Sequence, residues 1–197
     1  MSSNAPSSTR DEIARAALRL FAERGYRETS MEEIAKEVGI SKPAIYHHFG
    51  SKEDLFRSLL RYIQDLHHRA HDELRAKHLP LPELLAENVR QMLRAVREEH
   101  DIIRIMVRVV FEPTEIEGIV DPAALHREVH AEEVALLREA PTSLRMRPGL
   151  TLDDFVHFYH GVVFSFMAQC LCSGAPVDEE EAVTKIRDFI LNGAFES

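Results

Sequence analysis

The chain has 197 residues, 45% of them hydrophobic and 29% charged, and its 24 Lys plus Arg against 33 Asp plus Glu give a formal net charge of −9. That length allows one or two domains with ample core, and the composition is ordinary for a soluble protein. No run reaches the roughly 18 apolar residues that a membrane span needs, and the polar opening MSSNAPSS lacks a signal peptide's apolar centre, so a disordered arm and a cytoplasmic location are expected.

The acidity is not evenly spread. Residues 1–60 carry nine basic and nine acidic side chains, which leaves fifteen basic against twenty-four acidic beyond them. A first helix is expected over Thr9 to Arg24: Thr9 with Glu12 has capping-box spacing, Ile13, Ala16, Ala17, Leu20 and Phe21 recur at helical intervals, and Gly25 stops it. A second follows over Met31 to Val38. Thr29 and Ser30 offer N-cap hydroxyls ahead of Glu32 and Glu33, Ile34, Ala35 and Val38 form the stripe, and Gly39 can take the left-handed conformation that ends the turn. Ser41 opens a third helix over Lys42 to Phe49, where Pro43 is tolerated because first-turn amides have no intrahelical partner. Ile45 and Phe49 point inward, leaving Lys42, Ala44, Tyr46, His47 and His48 outward. Two short helices joined by a glycine turn read as a helix-turn-helix, and Lys42, Lys52, Arg57 and Arg61 outnumber Glu53 and Asp54 around it, which suits phosphate contact.

From Ser51 to about Lys77 the helical pattern is unbroken, between Gly50 and Pro80. Leu55, Phe56, Leu59, Leu60, Ile63 and Leu66 change face along it, as in a lever shared by a small N-terminal core and a larger bundle. Five further helices are expected at Leu84–Glu98, Asp101–Phe111, Pro122–Glu139, Leu152–Cys172 and Glu179–Leu191, with loops at 112–122 and 140–150 as candidates for mobility. The fold class is thus all-α: an N-terminal helix-turn-helix domain over residues 1–56, linked by the shared helix to a helical bundle over 57–197.

The helix from Leu152 is apolar on nearly every side and needs cover all round. Its Phe155, Val163, Phe166 and Met167, with Val183, Ile186, Phe189 and Ile190 of the last helix, could build a four-helix dimer interface; the central core of a monomer is the other reading. Tyr62, Leu66, Met92, Val96, Ile103, Met106, Val107, Val110, Phe111, Phe158, Tyr159 and Val162 have the apolar mix of a small-molecule pocket, although the same residues would line any well-packed helical core.

Cys170 and Cys172 stand two apart in a helix, where they cannot easily pair, and read as buried reduced thiols. Among eleven histidines, His67 with His71 and His126 with His130 stand four apart, and His157 with His160 three apart, spacings at which two imidazoles can share a metal. The charge-rich DLHHRAHDEL nevertheless reads as a solvated face, and neither metal nor cofactor is expected. GxSxG, HExxH and glycine-rich phosphate loops are all missing, so an enzyme is not expected.

From Ile13 through Phe56, with IAxxxG at 34–39, GIS at 39–41, IYHHF at 45–49 and SKEDLF at 51–56, the chain resembles the DNA-binding domain of the tetracycline-repressor (TetR) family. The resemblance implies base contacts from Lys42, Pro43 and Ala44 and backbone contacts from Thr29, Tyr46, His47, His48 and Lys52, with Ser41 beside them at the head of the reading helix. Ala44 offers no hydrogen bond and Pro43 only apolar contact such as to a thymine methyl, which leaves Lys42 as the polar base reader. The expected function is a repressor that binds a double-stranded palindromic operator as a homodimer, with reading helices about 34–36 Å apart, and is released by a small-molecule effector of unknown identity. The alternatives are a metal-responsive regulator using paired histidines, and a helical ligand-binding or interaction protein that has lost DNA binding.

Overall fold

The computed structural model describes residues 8–112, 114, 116–173 and 178–196, with side chains for all of these except 172 and 173. The expected N-terminal arm and the Cys172 thiol therefore lie outside the described residues, while Cys170 is a half-buried free thiol. Among the described residues the chain forms α1 (Thr9–Arg24), α2 (Met31–Val38), α3 (Lys42–His48), α4 (Lys52–Ala76), α5 (Leu81–Glu98), α6 (His100–Phe111), α7 (Pro122–Glu139), α8 (Leu152–Ser173) and α9 (Glu179–Ala194). The only β pairing among them is an isolated bridge between Met146 and Phe195. Among the described residues no helix is long and apolar enough to cross a membrane.

The chain divides into two compact units, residues 1–66 with 101–122, and residues 67–100 with 123–197. Helix α6 falls in the first unit. The cause is a set of interactions far apart in sequence. Arg108 of α6 donates to the carbonyls of Ala22 and Glu23, Arg27 donates to Thr114 at 2.6 Å, and Arg57 donates to Ile119 at 3.0 Å. Ile105, Val109 and Ile116 share a cavity of about 10 Å³, room for at most one water, with Phe21, Tyr26 and Phe56. Those three aromatics form a compact cluster, Phe21 meeting Phe56 edge to face at 5.3 Å and Tyr26 meeting Phe56 at 4.9 Å.

In the first unit the helix starts are set by side chains. Ser8, rather than the expected Thr9, caps α1 through a reciprocal box with Asp11, and Ser30 does the same for α2 with Glu33. Gly39 takes the left-handed conformation at φ 77°, and Ile40 N–H closes the turn on Ala35 O. Ile13, Ala17, Leu20, Ile34, Ile45, Phe49 and Leu55 fill the core beneath the turn.

The second unit packs α5 against α8 and α9. Phe155, Tyr159, Val163 and Met167 of α8, four residues apart in turn, lie buried in the same unit as Val183, Ile186 and Ile190 of α9 and Leu84, Leu85 and Val89 of α5. The 140–150 segment, a candidate for mobility, is hydrogen-bonded to the end of α9: Arg147 N–H donates to Ala194 O and Glu196 N–H to Arg145 O, both at 2.9 Å, and the Arg147 guanidinium donates to Asn192 O.

Candidate nucleic-acid interface

Helix α3 has seven residues and one buried side chain, Ile45, which is 0% exposed; Phe49 at its C-cap is buried too. This pair anchors the helix and fixes which way the other side chains face. Ser41, Lys42, Pro43, Tyr46 and His47 are exposed, and Ala44 and His48 are half-buried. Ser41 is the N-cap, its hydroxyl accepting from Ala44 N–H, so it shapes the head of the helix as well as facing outward.

The basic groups around α3 are held without being buried. Lys42 Nζ donates to Glu32 of α2; this hydrogen bond and the carboxylate's charge raise the lysine's pKa and keep it cationic. The pair is exposed and exchangeable. Lys52 Nζ lies 4.2 Å above the Tyr26 ring and donates to Arg27 O, which positions the ammonium at the start of α4. Arg10 stacks 4.3 Å over Phe49 and donates to His48 O at 2.8 Å, bringing α1 to the C-terminal end of α3.

Thr29 does not fit its expected place on the DNA backbone. Its side chain is 1% exposed and its hydroxyl bonds the carbonyls of Gly25 and Leu20 at 2.9 and 3.3 Å, while its N–H reaches Tyr26 O. It closes the turn between α1 and α2 and offers nothing to a phosphate. Arg10 and Arg27 are further exposed cations on the same unit.

Of the expected dimer residues, Phe155, Val163, Met167, Val183, Ile186 and Ile190 are buried in the single chain. An i, i+4 row on α8 turns inward and fills the core, which leaves Phe158 exposed and Val162 and Phe166 half-buried, with Phe189 exposed on α9. The expected effector residues are distributed over both units. Tyr62, Leu66, Ile103, Met106, Val107, Val110 and Phe111 fall in the first, and Met92, Val96, Phe158, Tyr159 and Val162 in the second. Val96, Ile103 and Tyr159 are core side chains, and Tyr62, Val110, Phe111 and Phe158 are exposed.

The histidine-rich stretch of α4 is not a solvated face. His71 and Glu133 are 4% and 3% exposed, with His71 Nε2 3.1 Å from Glu133 Oε2 and Asn88 Nδ2 donating to Glu133 Oε1 at 2.7 Å. Burial works against the charged carboxylate of Glu133, but the imidazoles of His160 and His71 outweigh it and bring its pKa down to about 2. Burial, and then the charge of His71, lowers His67 to about 4. His67, His71 and Glu132 form one group able to hold a metal, and His68, Glu128 and Glu132 a second. The other expected pairs do not gather a third ligand in this way among the described residues.

Residues 13–59 match the family model for bacterial regulatory proteins of the tetR family. Over 184 residues the chain is 31% identical to the HTH-type transcriptional repressor AcnR of Corynebacterium diphtheriae, covering 88% of this chain and 86% of that one. It is 26% identical over 193 residues to the HTH-type transcriptional repressor KstR2 of Mycolicibacterium smegmatis, covering 98% and 93%. A TetR-like transcriptional regulator from Rhodococcus sp. RHA1 superposes with a TM-score of 0.74 at 19% identity, over 96% of this chain and 98% of that one.

Proposed function

The chain belongs to the TetR family of bacterial regulatory proteins and is a DNA-binding transcriptional regulator rather than an enzyme; from this premise we propose that it is a homodimeric, cytoplasmic repressor that sets two copies of α3 into successive major grooves of a palindromic operator. The observation that carries the reading is the split of α3 into one fully buried anchor, Ile45, and an outward face of Ser41, Lys42, Pro43, Tyr46 and His47. Lys42 leaves the exposed Glu32 carboxylate for acceptors on a guanine edge, and Pro43 and Ala44 supply apolar contact. Ser41, Tyr46, His47, His48 and Lys52 hold phosphates and fix the register.

DNA reading is assigned to residues up to 56, and dimerisation and effector capture to 57–197. The exposed Phe158 and Phe189 are the aromatic anchors of the dimer face, at 61% and 69% exposure. A small organic effector in the helical bundle releases the operator by favouring the conformer that binds DNA less well, and the shift it can impose is limited to its differential affinity for the two conformers. The test is selection of bound duplexes from a random pool by the full-length chain, repeated with organic compounds. A two-fold symmetric site whose occupancy falls with one class of compound supports the reading. Enrichment of no sequence, or of an asymmetric one, refutes it.

A further inference from the structure

We infer that His67 and His71 of α4 and Glu132 of α7 form a binding site for one divalent first-row transition ion of the Zn²⁺ class. All three belong to the second compact unit, and their ligand atoms lie within 4.8 Å of one another. His67 Nδ1 and Glu132 Oε2 are 3.2 Å apart, close to the roughly 3.4 Å edge of a tetrahedron built on bonds of about 2.0–2.1 Å. Positions 67 and 71 are one helical turn apart, so their imidazoles leave α4 on one face, with ring centroids 4.1 Å apart.

His71 separates this group from an ordinary hydrogen-bonded cluster. It is 4% exposed, yet its Nδ1 is buried without a hydrogen-bond partner among the described residues. Buried polar atoms in native proteins are nearly always paired, and a metal on that lone pair completes the pairing. The opposite nitrogen is already arranged as metal-bound histidines arrange it: Nε2–H donates to the Glu133 carboxylate, fixing the tautomer that leaves Nδ1 free, and Asn88 holds Glu133 in turn. Two imidazoles and one carboxylate suit Zn²⁺, Co²⁺ or Ni²⁺ better than Mg²⁺ or Ca²⁺, which prefer all-oxygen shells. Glu132 turns its other oxygen to His68 Nε2 at 2.7 Å, which holds the carboxylate in place. The ion would brace α4 against α7 inside one unit, and the inference does not depend on what the protein binds through α3.

The full-length protein is stripped with a chelator and titrated with Zn²⁺ against a chromophoric competitor. The expected result is one Zn²⁺ per chain, with affinity lowered by about 100-fold in His67→Gln and in Glu132→Gln, and by about 10-fold in Asn88→Ala, which only loosens Glu133. His157→Gln, an exposed position on α8, should bind as the parent does. The inference is overturned if no stoichiometric Zn²⁺ binds, or if both ligand variants bind it unchanged. Should those variants fail to fold by circular dichroism, X-ray absorption on the Zn²⁺-loaded parent decides: two imidazoles with oxygen support the site, and a shell without an imidazole pair overturns it.

Discussion

Ile45 and Tyr46 are neighbours on α3, and they should fail in opposite ways. Ile45 is 0% exposed and is the one buried side chain of its helix. Truncation to Ala removes three methylene-sized groups at roughly 0.8 kcal/mol each, and the cavity left behind lifts the cost to about 3 kcal/mol, inside the usual range of about 2–5 for such changes. Against a domain stability of about 5–15 kcal/mol, that loosens α3 from its support while leaving the outward side chains chemically intact. Tyr46 is 41% exposed, so Tyr46→Ala should shift stability by no more than about 0.5 kcal/mol. Its loss of a phosphate hydrogen bond should weaken operator binding about 10-fold, or about 1.4 kcal/mol. The chain has no Trp, so urea unfolding is followed by far-UV circular dichroism and DNA binding by anisotropy of a labelled duplex. An Ile45→Ala variant as stable as the parent, or a Tyr46→Ala variant that destabilises the fold and leaves DNA affinity untouched, would rule out this division of roles.

Lys42→Ala should cost about 1–3 kcal/mol at one base pair of each half-site and relax the preference there, whereas Lys52→Ala should weaken all sequences alike and reduce the salt slope by about one; identical footprints for the two would remove the distinction between reader and clamp. Phe158→Asp with Phe189→Asp, both on exposed aromatics, should shift sedimentation from dimer to monomer while the helical signal is kept; a dimer that persists would place the interface elsewhere. Acid stability offers an independent check on the buried cluster. His67 sits near 4 in the fold, through burial and then the charge of His71, against about 6.5 unfolded, so below 6.5 the unfolded chain binds more protons and stability falls as pH drops towards 4. At pH 5 the loss in chelator-treated protein should be about 1–2 kcal/mol, largely absent in His67→Gln. Glu133, held near 2 against burial by the imidazoles of His160 and His71, adds a second decline below about 4.5. A urea midpoint unchanged between pH 7 and 5 would argue that His67 is solvated.

The helix-turn-helix was legible because its signals are local: a serine capping α2 with Glu33 three residues on, a glycine at φ 77°, and an apolar pair four apart on α3 and its C-cap all lie within about twenty residues. What depends on distant partners was not legible. Thr29 looks like a free N-cap hydroxyl until the turn at Gly25 folds back and takes it. The α8 sequence is apolar almost all round, so composition could not tell the inward row of Phe155, Tyr159, Val163 and Met167 from the outward Phe158. DLHHRAHDEL reads as a wet surface because Asn88, Glu132 and Glu133, which enclose it, come from α5 and α7. The bonds that tie residues 108–119 to the first unit are equally distant, running between arginines and carbonyls 62 to 87 positions apart.

The most direct measurement places a photoreactive phenylalanine at position 46 of the full-length chain, cross-links it to the selected duplex and maps the attachment points. Two adducts per duplex, symmetrically placed about one helical turn apart, are expected from paired copies of α3. A single adduct, or adducts scattered along the duplex without symmetry, would contradict the account.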